Sequence, residues 1–288
     1  MEKVLIAGGT GLLGTSIVKH LDEKGIKNFS HGHKNKAQVN FDMTDFNQVK
    51  SFLDKINPEI IVNLVCLSDV EKNEKDYQLA KKLNIQPVVN LSRWINSKKE
   101  NIKFIQISTD HLYDKKGISC EEDVVIKNNY AETKYEAENI ALSANALILR
   151  TNFFGKSLNS SRESFTDWID KNIENKNFPI NLFSDVHFSP IHIKTLSKII
   201  VELFKSYDSG IFNLGSKNGM SKAQFALDYS DILKNDKSKV NLISIDKMKF
   251  IAKRPKGMMM NVSKFEKKFG IELPSLKKEI KLSKMKDK

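Results

Sequence analysis

The chain opens on a short apolar run, Val4-Leu5-Ile6-Ala7, with no charge after Lys3, that passes directly into Gly8-Gly9-Thr10-Gly11-Leu12-Leu13-Gly14. An uncharged apolar run of this length fits a strand buried on both faces, as strands are in a parallel sheet. Glycines at 8, 11 and 14 let the backbone turn tightly and approach a pyrophosphate. The helix that follows offers unpaired N–H groups and the positive end of its dipole. Glycines at this spacing mean little alone; their place at the first strand-to-helix turn gives them weight.

Strand and helix patterns then alternate. Ser16 to Lys24 carries Ile17, Val18 and Leu21 at helical spacing, and Gly25 can stop that helix. Asn28-Phe29-Ser30-His31 reads as a second strand. Val49, Phe52, Leu53 and Ile56 mark a helix closed by Asn57-Pro58. Glu59 to Leu64 is a buried strand, and one long helix is expected from about Asp76 to Asn96. Lys103 to Ser108 is a strand, Tyr130 to Leu142 a helix and Ala146 to Arg150 a strand. This alternation predicts an α/β fold, a Rossmann-type doubly wound parallel sheet in residues 1–150, with the glycine turn as its pyrophosphate-binding site. Beyond 150 the pattern is less regular, with helices at Phe165 to Ile173 and Thr195 to Phe204 and a strand at Gly210 to Gly215. Residues 151–280 are expected to form a smaller C-terminal α/β substrate-binding region, with segments returning to the first sheet. Lys281 to Lys288 reads as a flexible basic tail.

The 288 residues suffice for one large or two smaller domains, and the composition, 40% hydrophobic and 28% charged, is globular. No run of 18 apolar residues occurs, which argues against a membrane-spanning helix. The N-terminus lacks a secretory pattern, and Cys66 and Cys120 cannot build a disulfide framework or a four-thiolate zinc site. A cytoplasmic location is the expectation. The net charge of +12 invites a nucleic-acid reading, but 43 of the 47 basic residues are lysines scattered along the chain. Nucleic-acid surfaces favour Arg for bidentate and stacked contacts. A solvated lysine-rich surface is the better account, and it would attract an anionic substrate.

A second constellation is Tyr130-Ala131-Glu132-Thr133-Lys134. Tyr and Lys four apart share one helix face, and a cationic Lys134 can lower the Tyr130 pKa toward working pH. Such a tyrosine can pass a proton to a carbonyl oxygen. Tyr-x-x-x-Lys alone is usually surface decoration. Here Ser108-Thr109-Asp110 ends a strand at the carboxyl edge, where open α/β sheets bind ligands. A hydroxyl there can hold the substrate oxygen that Tyr130 protonates.

At this point the chain resembles the extended short-chain dehydrogenases/reductases, and most closely the dTDP-4-dehydrorhamnose reductase family. The resemblance spans nearly the whole length. It is carried by Ile6 to Gly14, Asn40-Phe41-Asp42-Met43-Thr44-Asp45, Pro58 to Asn63, Asp69-Val70-Glu71, Asn84, Ser108 to Asp114, Tyr130 to Lys134, Leu149-Arg150-Thr151-Asn152, Arg254-Pro255 and Lys264 to Gly270. It implies that Gly8, Gly11 and Gly14, with the Leu12 and Leu13 backbone, hold the pyrophosphate, and that Asp42 and Met43 lie along the adenine. Thr109, Tyr130 and Lys134 would be the catalytic trio, with Lys134 also on the nicotinamide ribose. The implied oxidoreductase acts in deoxysugar biosynthesis and reduces a nucleotide-linked 4-keto-6-deoxy sugar with a nicotinamide hydride. Ser108, Asn152, Phe153, Ser189 and Arg254 are the candidates for the substrate site, Arg254 as partner of a substrate phosphate.

The chain departs from the family in three places. Leu64-Val65-Cys66 is bulkier than the usual alanine-rich stretch, Asn152-Phe153-Phe154 stands where a tryptophan is common, and Phe188 to His192 replaces a Pro-Thr segment. The second strand ends in Ser30-His31-Gly32-His33-Lys34, without the acid that NAD enzymes place against the ribose. His31, His33 or Lys34 could meet a 2′-phosphate, so NADP(H) is the expected cofactor, with NAD(H) as the alternative. No histidine has metal-ligand spacing, and neither cysteine is given a catalytic role. Two rival readings stand beside the reductase: an epimerase or dehydratase of the same superfamily, and a non-catalytic regulatory subunit like the β subunit of methionine adenosyltransferase. Dehydratases carry an acid pair after the catalytic Thr, and here Asp110 is followed by His111. A homodimer is left open.

Overall fold

Four consecutive apolar residues, Val4–Ala7, are buried at every position. That is possible only where both faces of a strand are covered. The strand lies between two parallel neighbours, with Leu5 opposite Phe29 of Asn28–Gly32 on one side and Ile61 of Ile60–Asn63 on the other. The full sheet has seven strands, in the order Gly210–Leu214, Leu147–Thr151, Lys103–Thr109, Ile60–Asn63, Val4–Ala7, Asn28–Gly32, Val39–Asn40. The strand order reverses about Val4–Ala7, the signature of a doubly wound sheet. The structure, a computed structural model, describes residues 2–32, 37–157 and 163–284.

The chain divides into two units that interleave along the sequence. The first comprises Met1–Thr109, Asn128–Arg150 and Ser197–Phe212; the second comprises Asp110–Lys127, Thr151–Leu196 and Asn213–Lys288. The segment after Thr109 therefore belongs to the second unit, and 197–212 returns to the first. Sequence pattern could not assign a segment as short as Asp110–Lys127, whose one strand is the two-residue Ile118–Ser119.

In the first unit, helices cover the sheet with their apolar stripes. Leu13, Ile17 and Leu21 bury one face of Leu12–Glu23. Val49, Leu53 and Ile56 do the same for Phe46–Ile56, which Asp45 caps by accepting from Asn47 and Gln48 N–H and which Asn57 ends in a left-handed conformation. The long helix expected from Asp76 to Asn96 is two helices, Tyr77–Asn84 and Gln86–Asn96, with Pro87 in the first turn of the second. Proline lacks an N–H and its ring collides with the carbonyl four residues back, so it starts a helix and cannot continue one.

The second unit holds a four-stranded sheet ordered Met220–Ser221, His187–Phe188, Gly257–Met260, Ile118–Ser119. Its core gathers Phe154, Ile169, Leu182, Phe188, Phe225, Leu233 and Leu276. The last helix, Leu276–Lys284, runs past the expected start of the tail at Lys281, because Ile280 is buried and Lys284 pairs with Asp231 at 3.1 Å.

Candidate functional site

The glycine turn leaves no room for side chains. Gly8 has φ +82°, and a Cβ there would stand 3.2 Å from the Leu64 carbonyl carbon. At Gly14 a Cβ would stand 2.3 Å from the Gly8 oxygen. Gly11 is the N-cap of Leu12–Glu23, and no side chain caps that helix. Its first N–H groups, those of Leu12, Leu13 and Gly14, are thus left for an anion from outside, which fits a dinucleotide pyrophosphate. Gly14→Ala is expected to destabilise the protein by about 1–3 kcal/mol, as overpacking does, and to weaken dinucleotide binding. Denaturant unfolding and a cofactor titration on the variant measure the two effects.

His31, one of the candidates for a cofactor 2′-phosphate, is turned inward. It is 3% exposed, with Nε2 2.9 Å from the Phe41 carbonyl and Nδ1 accepting from Gly8 N–H at 3.4 Å. Its ring lies 4.4 Å from that of Phe41. An aromatic ring in a buried strand packs inward, so His31 props the glycine turn. His33 and Lys34 lie outside the described residues. Met43 is also turned inward, into the core with Leu5, Val49 and Leu91, and its carbonyl accepts from Asn90. The Asp42 carboxylate accepts from the Thr44 N–H and hydroxyl, both at 2.8 Å, and so shapes its own turn.

Tyr130 and Lys134 lie on the buried face of helix Asn129–Leu142, which Asn128 caps by accepting from Ala131 N–H. Lys134 is 4% exposed, and its ammonium donates to the Ile107 carbonyl at 2.7 Å. That bond ties the helix to strand Lys103–Thr109 just before Ser108 and Thr109, both buried. Ser108 Oγ has no hydrogen-bond partner among the described residues. A buried hydroxyl without a partner costs free energy unless something else bonds it.

Two supports of this helix were not given roles at the sequence level. Asn84 is buried; it donates to Asn73 and to the Thr133 hydroxyl, both at 2.8 Å, and accepts from Leu67 N–H at 2.6 Å. Glu138, one turn beyond Lys134, makes a bidentate ion pair with Arg150, with Nε–Oε1 2.9 Å and an Nη2–Oε2 distance of 2.7 Å. Both partners are at most 1% exposed. The spacing Tyr130, Lys134, Glu138 was the available signal.

In the second unit, Asn152 donates to the Asp110 carboxylate at 2.7 Å. Phe153 lies in the short strand Phe153–Phe154, paired with Ile191–His192. Ser189 is buried and structural: its hydroxyl accepts from Met260 N–H at 3.0 Å. Arg254 is half-buried, 4.9 Å over the Phe250 ring. His111, Lys222 and Arg254 interact electrostatically, and burial together with the two cations pushes the His111 pKa down to about 3. His111 is therefore neutral. Among the described residues no metal-binding cluster occurs, and no helix is long and apolar enough to cross a membrane.

A doubly wound sheet, a glycine turn after its first strand and a Tyr–Lys pair fixed against a strand end define a dinucleotide-binding α/β protein of the extended short-chain dehydrogenase/reductase type. Within that class the chain belongs to the family of the RmlD substrate binding domain, whose model matches residues 1–286. A probable low-salt glycan biosynthesis reductase of Haloferax volcanii is 23% identical over 96% of this chain and 95% of its own length. The dTDP-4-dehydrorhamnose reductase of Aggregatibacter actinomycetemcomitans is 24% identical over 94% and 95%. The methionine adenosyltransferase 2 subunit beta of Mus musculus is 24% identical over 92% and 82%. The crystal structure of the Bacillus anthracis dTDP-4-dehydrorhamnose reductase in complex with NADP superposes with a TM-score of 0.84, at 22% identity and 98% coverage of both chains.

Proposed function

We propose that this protein is an NADP(H)-dependent reductase of a nucleotide-linked 4-keto sugar, the 6-deoxy members of that class being what the family points to. The observation that carries the reading is Lys134. A lysine 4% exposed, held at 2.7 Å on the Ile107 carbonyl one helical turn after Tyr130, has no structural need that a leucine would not meet more cheaply. Its cost is accounted for if it serves the tyrosine. Bound in the glycine turn, the nicotinamide nucleotide supplies the hydride. Tyr130 gives the proton to the carbonyl oxygen that becomes the alcohol. Ser108 or Thr109 holds that oxygen by its hydroxyl, and Lys134 keeps the phenol ready to ionise and reaches the ribose. The direct test is NADPH oxidation against a panel of nucleotide-linked 4-keto sugars; consumption with none of them would overturn the reading.

The cofactor choice rests on the second strand, Asn28–Gly32, which offers no acid to the ribose. With His31 turned inward, His33 and Lys34 remain the candidates for a 2′-phosphate. A kcat/KM for NADPH well above that for NADH is expected, and a clear NADH preference would refute the assignment.

The regulatory-subunit reading is kept because methionine adenosyltransferase β subunits match over 92% of the chain. The intact Thr109, Tyr130 and Lys134 favour catalysis. The epimerase reading predicts tightly held cofactor in the purified protein.

A further inference from the structure

Two amide side chains are buried side by side in the seven-stranded sheet. Asn63 ends strand Ile60–Asn63 and stands opposite Gln106 of strand Lys103–Thr109. They are 0% and 1% exposed. The positions before them, Ile60 to Val62 and Phe104-Ile105, are buried hydrocarbon. A buried amide costs free energy unless it is bonded, and an aliphatic pair would fill the place without that cost. The two amides form a directed chain. Val65 N–H donates to Asn63 Oδ1 at 3.1 Å, Asn63 Nδ2 to Gln106 Oε1 at 2.8 Å, and Gln106 Nε2 to the Ile107 carbonyl at 3.0 Å. The chain begins on a backbone N–H, which can only donate, and ends on a carbonyl, which can only accept. Both amides are thereby held in one orientation.

At one end of the chain, the peptide Leu64–Val65 lies against the glycine turn. A Cβ on Gly8 would stand 3.2 Å from the Leu64 carbonyl carbon and 3.3 Å from Val65 N, and Leu64 N–H donates to the Ala7 carbonyl at 2.9 Å. At the other end, the Ile107 carbonyl that accepts from Gln106 also accepts from the Lys134 ammonium at 2.7 Å. The segment after Asn63 is tied to the Lys134 helix a second time, since Asn84 accepts from Leu67 N–H and donates to the Thr133 hydroxyl. Every link lies within the first unit. We propose that Asn63 and Gln106 are positioning residues that hold Lys134 in register with the glycine turn. Gln106 fixes the direction of the carbonyl on which the ammonium sits, and Asn63 fixes Gln106 to the peptide against Gly8. A dinucleotide that bridges the turn and Lys134 then meets two anchors at a preset separation and loses no affinity in bringing them together.

The inference rests on the dinucleotide site and the Lys134 contact with the ribose proposed above, and adds the residues that set the distance between them. The test is calorimetric titration of the full-length parent, of Lys134→Met, of Gln106→Met and of the pair variant Asn63→Leu with Gln106→Met. The ligands are NADP+ against adenosine 2′,5′-bisphosphate, and NAD+ against ADP. The second of each pair stops short of the nicotinamide ribose. Both Gln106 variants are expected to bind the dinucleotide about tenfold weaker, which is what one hydrogen bond contributes. They should bind the shorter ligand within about twofold of the parent, whereas a purely structural role would weaken both ligands of a pair alike. Adding Gln106→Met to Lys134→Met should change dinucleotide affinity by less than about twofold, because the amide acts through the ammonium. Gln106→Met strands the Asn63 amide and should lower the melting temperature; the pair variant strands no side-chain amide and should melt close to the parent. Weak dinucleotide binding by Lys134→Met with parental binding by the Gln106 variants overturns the inference alone. So does a full Gln106→Met effect in the Lys134→Met background, or failure of both Gln106 variants to fold. If only one of them folds, that one decides. Parental affinity in Lys134→Met overturns the ribose contact and the inference with it. No binding of either dinucleotide by the parent overturns the cofactor reading as well.

Discussion

Tyr130→Phe should lower turnover by about 10²–10⁴-fold, the range that a positioned general acid contributes. Hydride arrival at a ketone places negative charge on its oxygen, and in the proposed mechanism the Tyr130 phenol is the proton source. The substitution keeps the ring, so packing on the buried helix face should survive, and NADPH affinity should stay near that of the parent. Lys134→Met should differ in kind. It removes the ammonium that bonds the Ile107 carbonyl, so turnover and cofactor affinity should fall together. Single-turnover rates and NADPH titrations on both variants separate the two roles. Near-parental turnover in Tyr130→Phe would refute the mechanism and favour the regulatory-subunit reading.

The largest stability effect is expected at Arg150. Its guanidinium donates to both carboxylate oxygens of Glu138 in a place where neither side chain meets water. Arg150→Met leaves the Glu138 carboxylate buried and uncompensated, which costs about 3–5 kcal/mol. The double variant Arg150→Met with Glu138→Leu should recover most of the loss, since an apolar pair of similar volume has no desolvation to offset. Urea unfolding of the parent, the single variant and the double variant measures this. The pair also fixes helix Asn129–Leu142 to strand Leu147–Thr151, so the single variant should lose activity beyond its loss of folded protein. If the double variant is as unstable as the single, the cost lies in packing and not in the stranded charge.

The helix break at Pro87 was legible in the sequence in principle, since the rule that proline starts but does not continue a helix is local. The heptad-like run of apolar residues from Asp76 to Asn96 hid it. His31 is a different case. Its place at the end of a strand gave two possible faces, and a residue in a buried parallel strand is covered whichever way it points. Only the packing of Phe41 and the reach of the Gly8 N–H decide that the ring turns inward. Ser189 resembles His31: a polar residue in a stretch that differs from the family pattern suggested a ligand contact, and the fold uses its hydroxyl to accept from Met260 N–H instead.

Local chemistry was enough for the alternation that makes the sheet, for the glycine turn and for the Tyr130–Lys134 spacing, because each depends on residues within one turn or one strand. Sequence by itself therefore determined the α/β class, the place of the glycine turn and the helix that carries Tyr130 and Lys134. The tertiary structure alone decided what supports that helix: the Asn84 bonds and the Glu138–Arg150 pair. Those partners are 11 to 49 residues apart in the chain, and burial makes their polarity matter only once folding has removed the water between them.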